Sequence, residues 1–136
     1  MNTVAHDSKT LYHGSSSKFT TLFPHPARGI GSTQDKLTAV YAIHKLELAI
    51  AFALPKRPNA QGHLAWQLEE TSLPPKIIME KGKVDISRAG YLHHVSAESF
   101  EAIDDWQWVC FTTVKPIKIE IIRPEIYTEW VVYKTA

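Results

Sequence analysis

The sequence predicts a single α+β domain with a mostly antiparallel β core and a few short helices, and three observations carry that expectation. A chain of 136 residues is the length of one domain. Short segments rich in β-branched and aromatic residues recur along it, separated by Pro, Gly and Ser. One segment, residues 46–54, is apolar at helical spacing and stops at Pro55.

Residues 1–8 are polar and unpatterned, which predicts a loose arm. Residues 10–13 read as the first strand, and Gly14 with the serines after it marks its end. Phe19, Leu22 and Phe23 anchor the chain ahead of a loop over residues 24–35, rich in Pro, Gly and hydroxyls. Loops of that length inside a compact domain are usually functional or disordered. Residues 37–43 return to β character. In the helix that follows, Leu46, Ala49, Ile50 and Ala53 keep helical spacing. Nearly every face of it is apolar, so burial on most sides is expected. Residues 56–62 are predicted to form an exposed turn.

From His63 the pattern is predominantly β. Leu64, Trp66 and Leu68 alternate with more varied residues, and Pro74-Pro75 separates them from a strand over 76–79. Residues 83–89 are expected to hold a helical turn and residues 90–96 another strand. A short helix over 97–103 would be capped by Ser96. Strands over 106–112 and 117–122 flank Lys115-Pro116. Residues 124–127 read as a turn, and 129–133 as a closing edge strand. No internal repeat or low-complexity segment interrupts this order.

Hydrophobic residues at 44% and charged residues at 21% describe an ordinary globular chain, neither a disordered tail nor a membrane protein. A formal charge of +1 gives no footprint for non-specific nucleic-acid binding, although Lys56-Arg57 is a local basic patch. The lone Cys110, between Val109 and Phe111, suits a buried thiol and excludes an intramolecular disulfide. The first residues lack the basic and apolar regions of a signal peptide, and no apolar run reaches the length of a membrane span. A cytoplasmic location without a membrane partner is therefore expected.

The candidate site begins at His13-Gly14. A glycine at the mouth of a strand lets a ligand approach the backbone, and an imidazole beside it both donates and accepts hydrogen bonds. Tyr41 lies towards the end of the second strand, and Phe52 lies eleven positions further on in the helix. A helix folded back beside that strand would set the two rings across a slot suited to a flat heteroaromatic ring. Other chemistries find little support. His93 and His94 are adjacent in a predicted strand and point to opposite faces, and no His-Glu-x-x-His or paired-cysteine spacing exists, so no metal site is expected. Trp66, Trp106, Trp108 and Trp130 on alternating strands are predicted to be packing residues. The serines lack the Gly-x-Ser-x-Gly context of a hydrolase, and no phosphate-binding Gly-Lys-Ser/Thr loop is present.

A strand ending in Tyr12-His13-Gly14-Ser15, then a loop, then Val40-Tyr41-Ala42 and a helix carrying Ala49 and Phe52, resembles the ADP-ribosyltransferase fold. Within it, the order resembles the His-Tyr-Glu type of the diphtheria-toxin and poly-ADP-ribose polymerase branch. The likeness is strongest over residues 10–54 and diffuse beyond. It implies a split, mostly antiparallel core, NAD as substrate and no metal. It also implies transfer of ADP-ribose to a protein or nucleic-acid acceptor, or hydrolysis of NAD. By that resemblance His13 would bond the adenine-side ribose, Gly14 would offer backbone groups to the nicotinamide amide, and Tyr41 would stack on the ring. Phe52 stands where the branch has a second tyrosine.

The chain departs from the branch on its late strand. Where a glutamate would stabilise an oxocarbenium-like sugar, Gln107 is the match by position, with Asp104 and Asp105 as carboxylates of a shifted register. Ile43-His44 stands where a Thr-Asp helix cap is common. Ser15, Ser16 and Arg28 are candidates for a diphosphate on their own chemistry, and are equally readable as solvated loop residues. Two alternatives stay open. One is a non-catalytic module binding NAD, ADP-ribose or a protein partner. The other is an RNA 2′-phosphotransferase-like activity, which shares the fold without the glutamate but expects several anion-binding arginines, of which this chain offers few.

Overall fold

Apolar residues alternate along the early strands, and the computed structural model shows where both sets go; it describes residues 9–26 and 38–134. The expected arm over 1–8, most of the expected long loop and Arg28 lie outside the described residues. In chain order the strands are β1 (Thr10–Ser15), β2 (His25–Pro26) and β3 (Thr38–Ile43), then helix α1 (Leu46–Ala53). They continue with β4 (Lys56–Arg57), β5 (Ala65–Glu69), β6 (Lys76–Lys81), β7 (Lys83–Val84) and β8 (Gly90–Ser96). β9 (Glu101–Ala102), β10 (Gln107–Cys110), β11 (Lys118–Ile122) and β12 (Val131–Tyr133) complete the set.

The main sheet runs β11-β8-β1-β3-β10-β9, with β2 added on β3. A second sheet runs β12-β6-β5, and β4 pairs with β7. Every ladder is antiparallel except β12 with β6, so the chain is a mixed α+β domain with mostly antiparallel sheet. Side chains on a strand alternate between faces. One face of the main sheet sends Ile43 and Leu92 to a core shared with α1, Ile77 and Met79. The other sends Leu11, Val40, Ala42 and Val95 to a core closed by Leu22, Phe100 and Cys110.

Helix α1 buries Leu48, Ala49, Ile50, Ala51 and Ala53. Its N-cap is Lys45, which makes no side-chain cap bond, so packing rather than capping holds its start. Its far end is satisfied from outside. The Lys56 ammonium donates to the carbonyls of Ala51 and Leu54, both at 2.9 Å. The helix lies so close to β1 and β8 that a Cβ on Gly14 would run into Ala49 O, and one on Gly90 into Ala53 O.

Five sequence expectations give way to the observed structure. The first strand does not end at Gly14: β1 runs on to Ser15, with Gly14 opposite Leu92 and Ser15 opposite Tyr91, because β8 offers pairing partners along its whole length. Residues 56–62 are not wholly an exposed turn: Lys56 turns inward, and Arg57 pairs with Asp85 at 3.0 Å beside the β4–β7 ladder. Residues 83–89 form β7 and a turn rather than a helical turn. There the Asp85 carboxylate takes the Ser87 N–H at 3.0 Å and the Ser87 hydroxyl at 2.6 Å, a local pairing that competes with helix. Ser96 does cap, accepting from Glu98 N at 3.3 Å, but only Ala97–Ser99 form a 3₁₀ turn. Phe100 is then drawn into the core and Glu101–Ala102 pair with β10. Finally, Pro124–Trp130 forms two 3₁₀ turns broken at Tyr127 (φ −110°, ψ 18°) in place of a simple turn, which leaves Val131–Tyr133 as an edge strand.

Candidate functional site

The site lies where the main sheet opens. β1 pairs with β8 along its whole length, from Thr10↔Ser96 to Ser15↔Tyr91. Against β3 its register is the single pair Tyr12↔Ile43, while β3 runs on with β10 from Gln107↔Ile43 to Cys110↔Val40. Past Tyr12 the two halves of the sheet therefore part. A side chain spans the gap: His13 Nδ1 lies 2.7 Å from the Tyr41 carbonyl oxygen. A carbonyl only accepts, so Nδ1 carries the proton, and the neutral ring keeps Nε2 as an acceptor. Burial pushes the His13 imidazole down to about 4, against the Tyr41 carbonyl that favours its charged form, and His93 and His25 push it the same way as burial. The ring is neutral at physiological pH.

Behind His13 the backbone is pinned. His93 is fully buried, and its Nδ1–H donates to the His13 carbonyl at 3.0 Å while its Nε2 accepts from Phe19 N–H at 3.0 Å. Both ring nitrogens are used, which fixes the tautomer and ties residues 13 and 19 together. Burial lowers the affinity of this ring for a second proton.

A cavity of about 140 Å³ opens at the gap, lined by Tyr12, His13, Gly14, Tyr41, Ile43, Phe52, Trp106 and Gln107. It thus brings together five residues singled out in the sequence: His13, Gly14, Tyr41, Phe52 and Gln107. A cavity of about 150 Å³ accepts one benzene ring, so this one has room for a single flat six-membered ring. A smaller hollow of about 80 Å³ lies on another side of His13, against Phe19, Leu22, Phe23, His25 and Val40.

Trp106 is the residue that sequence reasoning missed. Assigned there to packing, it lies nearly parallel to Phe52, with centroids 6.3 Å apart and planes at 29°. Phe52 also meets Trp66 in a T-shaped contact with centroids 5.4 Å apart, and Lys56 Nζ sits 4.0 Å from the Trp66 ring centre. The available signal was adjacency, since Trp106 immediately precedes Gln107.

Gln107 enters the site with an oriented amide. Its Nε2 donates to Asp104 Oδ2 at 2.8 Å, and Asp104 Oδ1 accepts the backbone N–H of Trp106 at 3.0 Å and of Gln107 at 2.8 Å. Burial works to raise the Asp104 carboxyl, but these hydrogen bonds outweigh it and hold the group below its ordinary value. Asp104 is thus a carboxylate one hydrogen bond behind Gln107, and it is not part of the cavity wall.

The remaining candidates fall elsewhere. Ser15 and Ser16 are not among the cavity-lining residues, and the Ser15 hydroxyl accepts from Ser17 N–H at 3.0 Å, a local turn contact. Gly14 lines the cavity, yet the direction its Cβ would take is filled by α1, so helix packing by itself demands the glycine. Arg28 lies outside the described residues. Cys110 is buried, with Sγ 3.4 Å from Thr112 Oγ1. Among the described residues no cluster of His, Cys, Asp and Glu could hold a metal ion, and no helix is long and apolar enough to cross a membrane. No family model, curated protein or solved structure matches this chain.

Proposed function

We propose that this chain is an ADP-ribosyltransferase-like domain that takes NAD by its nicotinamide half. In the proposed reaction the bond from nicotinamide to ribose breaks, and ADP-ribose passes to a protein or nucleic-acid acceptor or to water. The observation that supports this most is the cavity at the β1/β3 gap, lined by His13, Tyr41, Phe52 and Gln107 among others and sized for one ring. Aromatic walls favour a flat heterocycle by stacking, worth roughly 1–3 kcal/mol per stacked ring. His13, neutral and with Nε2 as acceptor, suits a sugar hydroxyl as donor. The rest of the dinucleotide would lie outside the cavity, which has no room for it.

As nicotinamide leaves, positive charge develops on the ribose. Gln107 offers no formal charge to meet it, only an amide dipole whose N–H end is already turned to Asp104. A missing preorganised charge of this kind costs on the order of a hundredfold in rate. That one residue favours a second reading, in which the same cavity binds NAD or ADP-ribose without turning it over.

Calorimetric titration with nicotinamide, NAD and ADP-ribose, paired with chromatographic measurement of nicotinamide release, tests both. NAD and nicotinamide are expected to bind, and Tyr41→Ala to weaken both by tenfold or more. Slow release by the parent chain that rises in Gln107→Glu supports transfer or hydrolysis. Binding with no release, in the parent or in the presence of protein and RNA acceptors, supports the second reading. No heat from any of the three ligands rejects both.

A further inference from the structure

β11 forms one edge of the main sheet: β8 pairs with one side of it, and no described strand pairs with the other. Such an edge leaves a row of N–H and C=O groups open to a further strand. The residues around it read Ile117-Lys118-Ile119-Glu120-Ile121. Reversed, that segment is the same string with its two charges exchanged. An antiparallel copy centred on Ile119 would therefore set Ile119 against Ile119 and Ile117 against Ile121. It would also set Lys118 against Glu120; symmetry supplies the Ile117–Ile121 and Lys118–Glu120 pairs twice each, and the Ile119 pair once, on the axis.

The surroundings favour the same arrangement. Ile117 and Ile121 are 67% and 58% exposed, a large apolar display for a sheet edge. With Tyr91 and Ile119 they line a hollow of about 560 Å³, which also takes in Lys18 and Lys118, and isoleucines of an opposing strand could lodge along its apolar part. A lysine on an edge strand ordinarily discourages pairing, but here a glutamate two residues on supplies its partner. His94 Nε2 lies 3.0 Å from the Glu120 carboxylate and holds it along the strand. An acidic peptide would suit Lys118 and leave Glu120 facing like charge, so self-pairing answers both groups. From this we infer that the β11 edge is an interface between two copies of this chain, joined antiparallel about a two-fold axis at Ile119. The inference does not rest on the nucleotide reading, because β8 and β1 separate this edge from the cavity.

The contact involves about five residues per copy, below the size of a standard stable interface, so a micromolar dimer in exchange with monomer is expected. Sedimentation equilibrium of the full chain from micromolar to millimolar concentration measures it. Lys118→Glu and Glu120→Lys each set like charges opposite one another twice, and each should weaken dimerisation about tenfold or more. The double exchange K118E/E120K restores opposite pairs and should return the affinity to near the parent value, with thermal unfolding showing that every variant is folded. A chain that is monomeric throughout overturns the inference. So does a dimer indifferent to either single change, or one that the double exchange fails to rescue.

Discussion

Replacing Gly14 with alanine tests whether this glycine serves the helix or the ligand. The new Cβ would lie 2.8 Å from Ala53 N and closer still to Ala49 O, and both atoms are backbone of α1. Backbone cannot rotate away as a side-chain tip can, so α1 must withdraw from β1 by several tenths of an ångström or more. Overpacking of that kind costs about 1–3 kcal/mol, and with two opposing backbone atoms the upper end applies. The stiffer unfolded chain of the alanine variant offsets about 0.4–1 kcal/mol. A net loss of about 2 kcal/mol should appear in urea unfolding, or about 8 °C in Tm for a domain of this length. Because Phe52 rides on α1, nicotinamide affinity should fall with it. Gly62→Ala is the control: its φ of +81° strains any other residue, but nothing stands within 4 Å, so only the backbone cost of about 1 kcal/mol is expected. A Gly14→Ala chain as stable as the parent to within 0.5 kcal/mol, having lost only ligand affinity, would refute the packing argument.

Three further outcomes are expected. On the proposed function, Trp106→Leu should weaken nicotinamide binding about tenfold or more in calorimetry, because Trp106 lines the cavity and stacks on Phe52; unchanged affinity would return Trp106 to a packing role. His93→Leu leaves the part-buried His13 carbonyl and Phe19 N–H without their side-chain partner, and should cost about 1–3 kcal/mol in denaturant unfolding; a loss below about 0.5 kcal/mol would show that water replaces the ring. The third concerns pH. Unfolded His13 takes a proton near pH 6.5, whereas the folded ring waits until about 4, so the unfolded state binds more protons between those values and stability falls as the pH drops. At about 1.4 kcal/mol per pH unit across that window the loss approaches roughly 3 kcal/mol, and His13→Gln should flatten it by about that amount. An unchanged slope would mean that folded His13 keeps an ordinary imidazole affinity.

What could be read in advance was local. The order of strands around His13, Tyr41 and Gln107 followed from alternation and from Pro and Gly punctuation, and α1 from its apolar run up to Pro55. What could not be read was which partner each end would find. Lys56 looks like the first residue of an exposed turn because its neighbours are Arg57, Pro58 and Asn59. Yet a helix stopped by Pro55 without a C-terminal glycine leaves carbonyls in need of donors, and Lys56 answers two of them. Trp106 was lost for a related reason. Trp66, Trp106, Trp108 and Trp130 look alike in a pattern of alternation, and only the structure sets Trp106, just ahead of β10, apart at the gap.

The gap itself follows from where α1 is allowed to come close. Gly14 on β1 and Gly90 on β8 both lack the Cβ that would hold the helix away, and on that half of the sheet α1 meets backbone directly. β3 and β10 carry no glycine, and Tyr41, Ile43 and the Trp106-Gln107 pair stand in the corresponding space. A helix drawn down onto β1 and β8 by two glycines, and packed on β3 through the Ile43 side chain, leaves Phe52 in the wall of the cavity where β1 has left β3. The cavity is thus a product of uneven helix packing on a sheet that parts beneath it. Substitution of Gly90, which does not line the cavity, should therefore reshape it from a distance, whereas Gly14 both lines it and seats the helix.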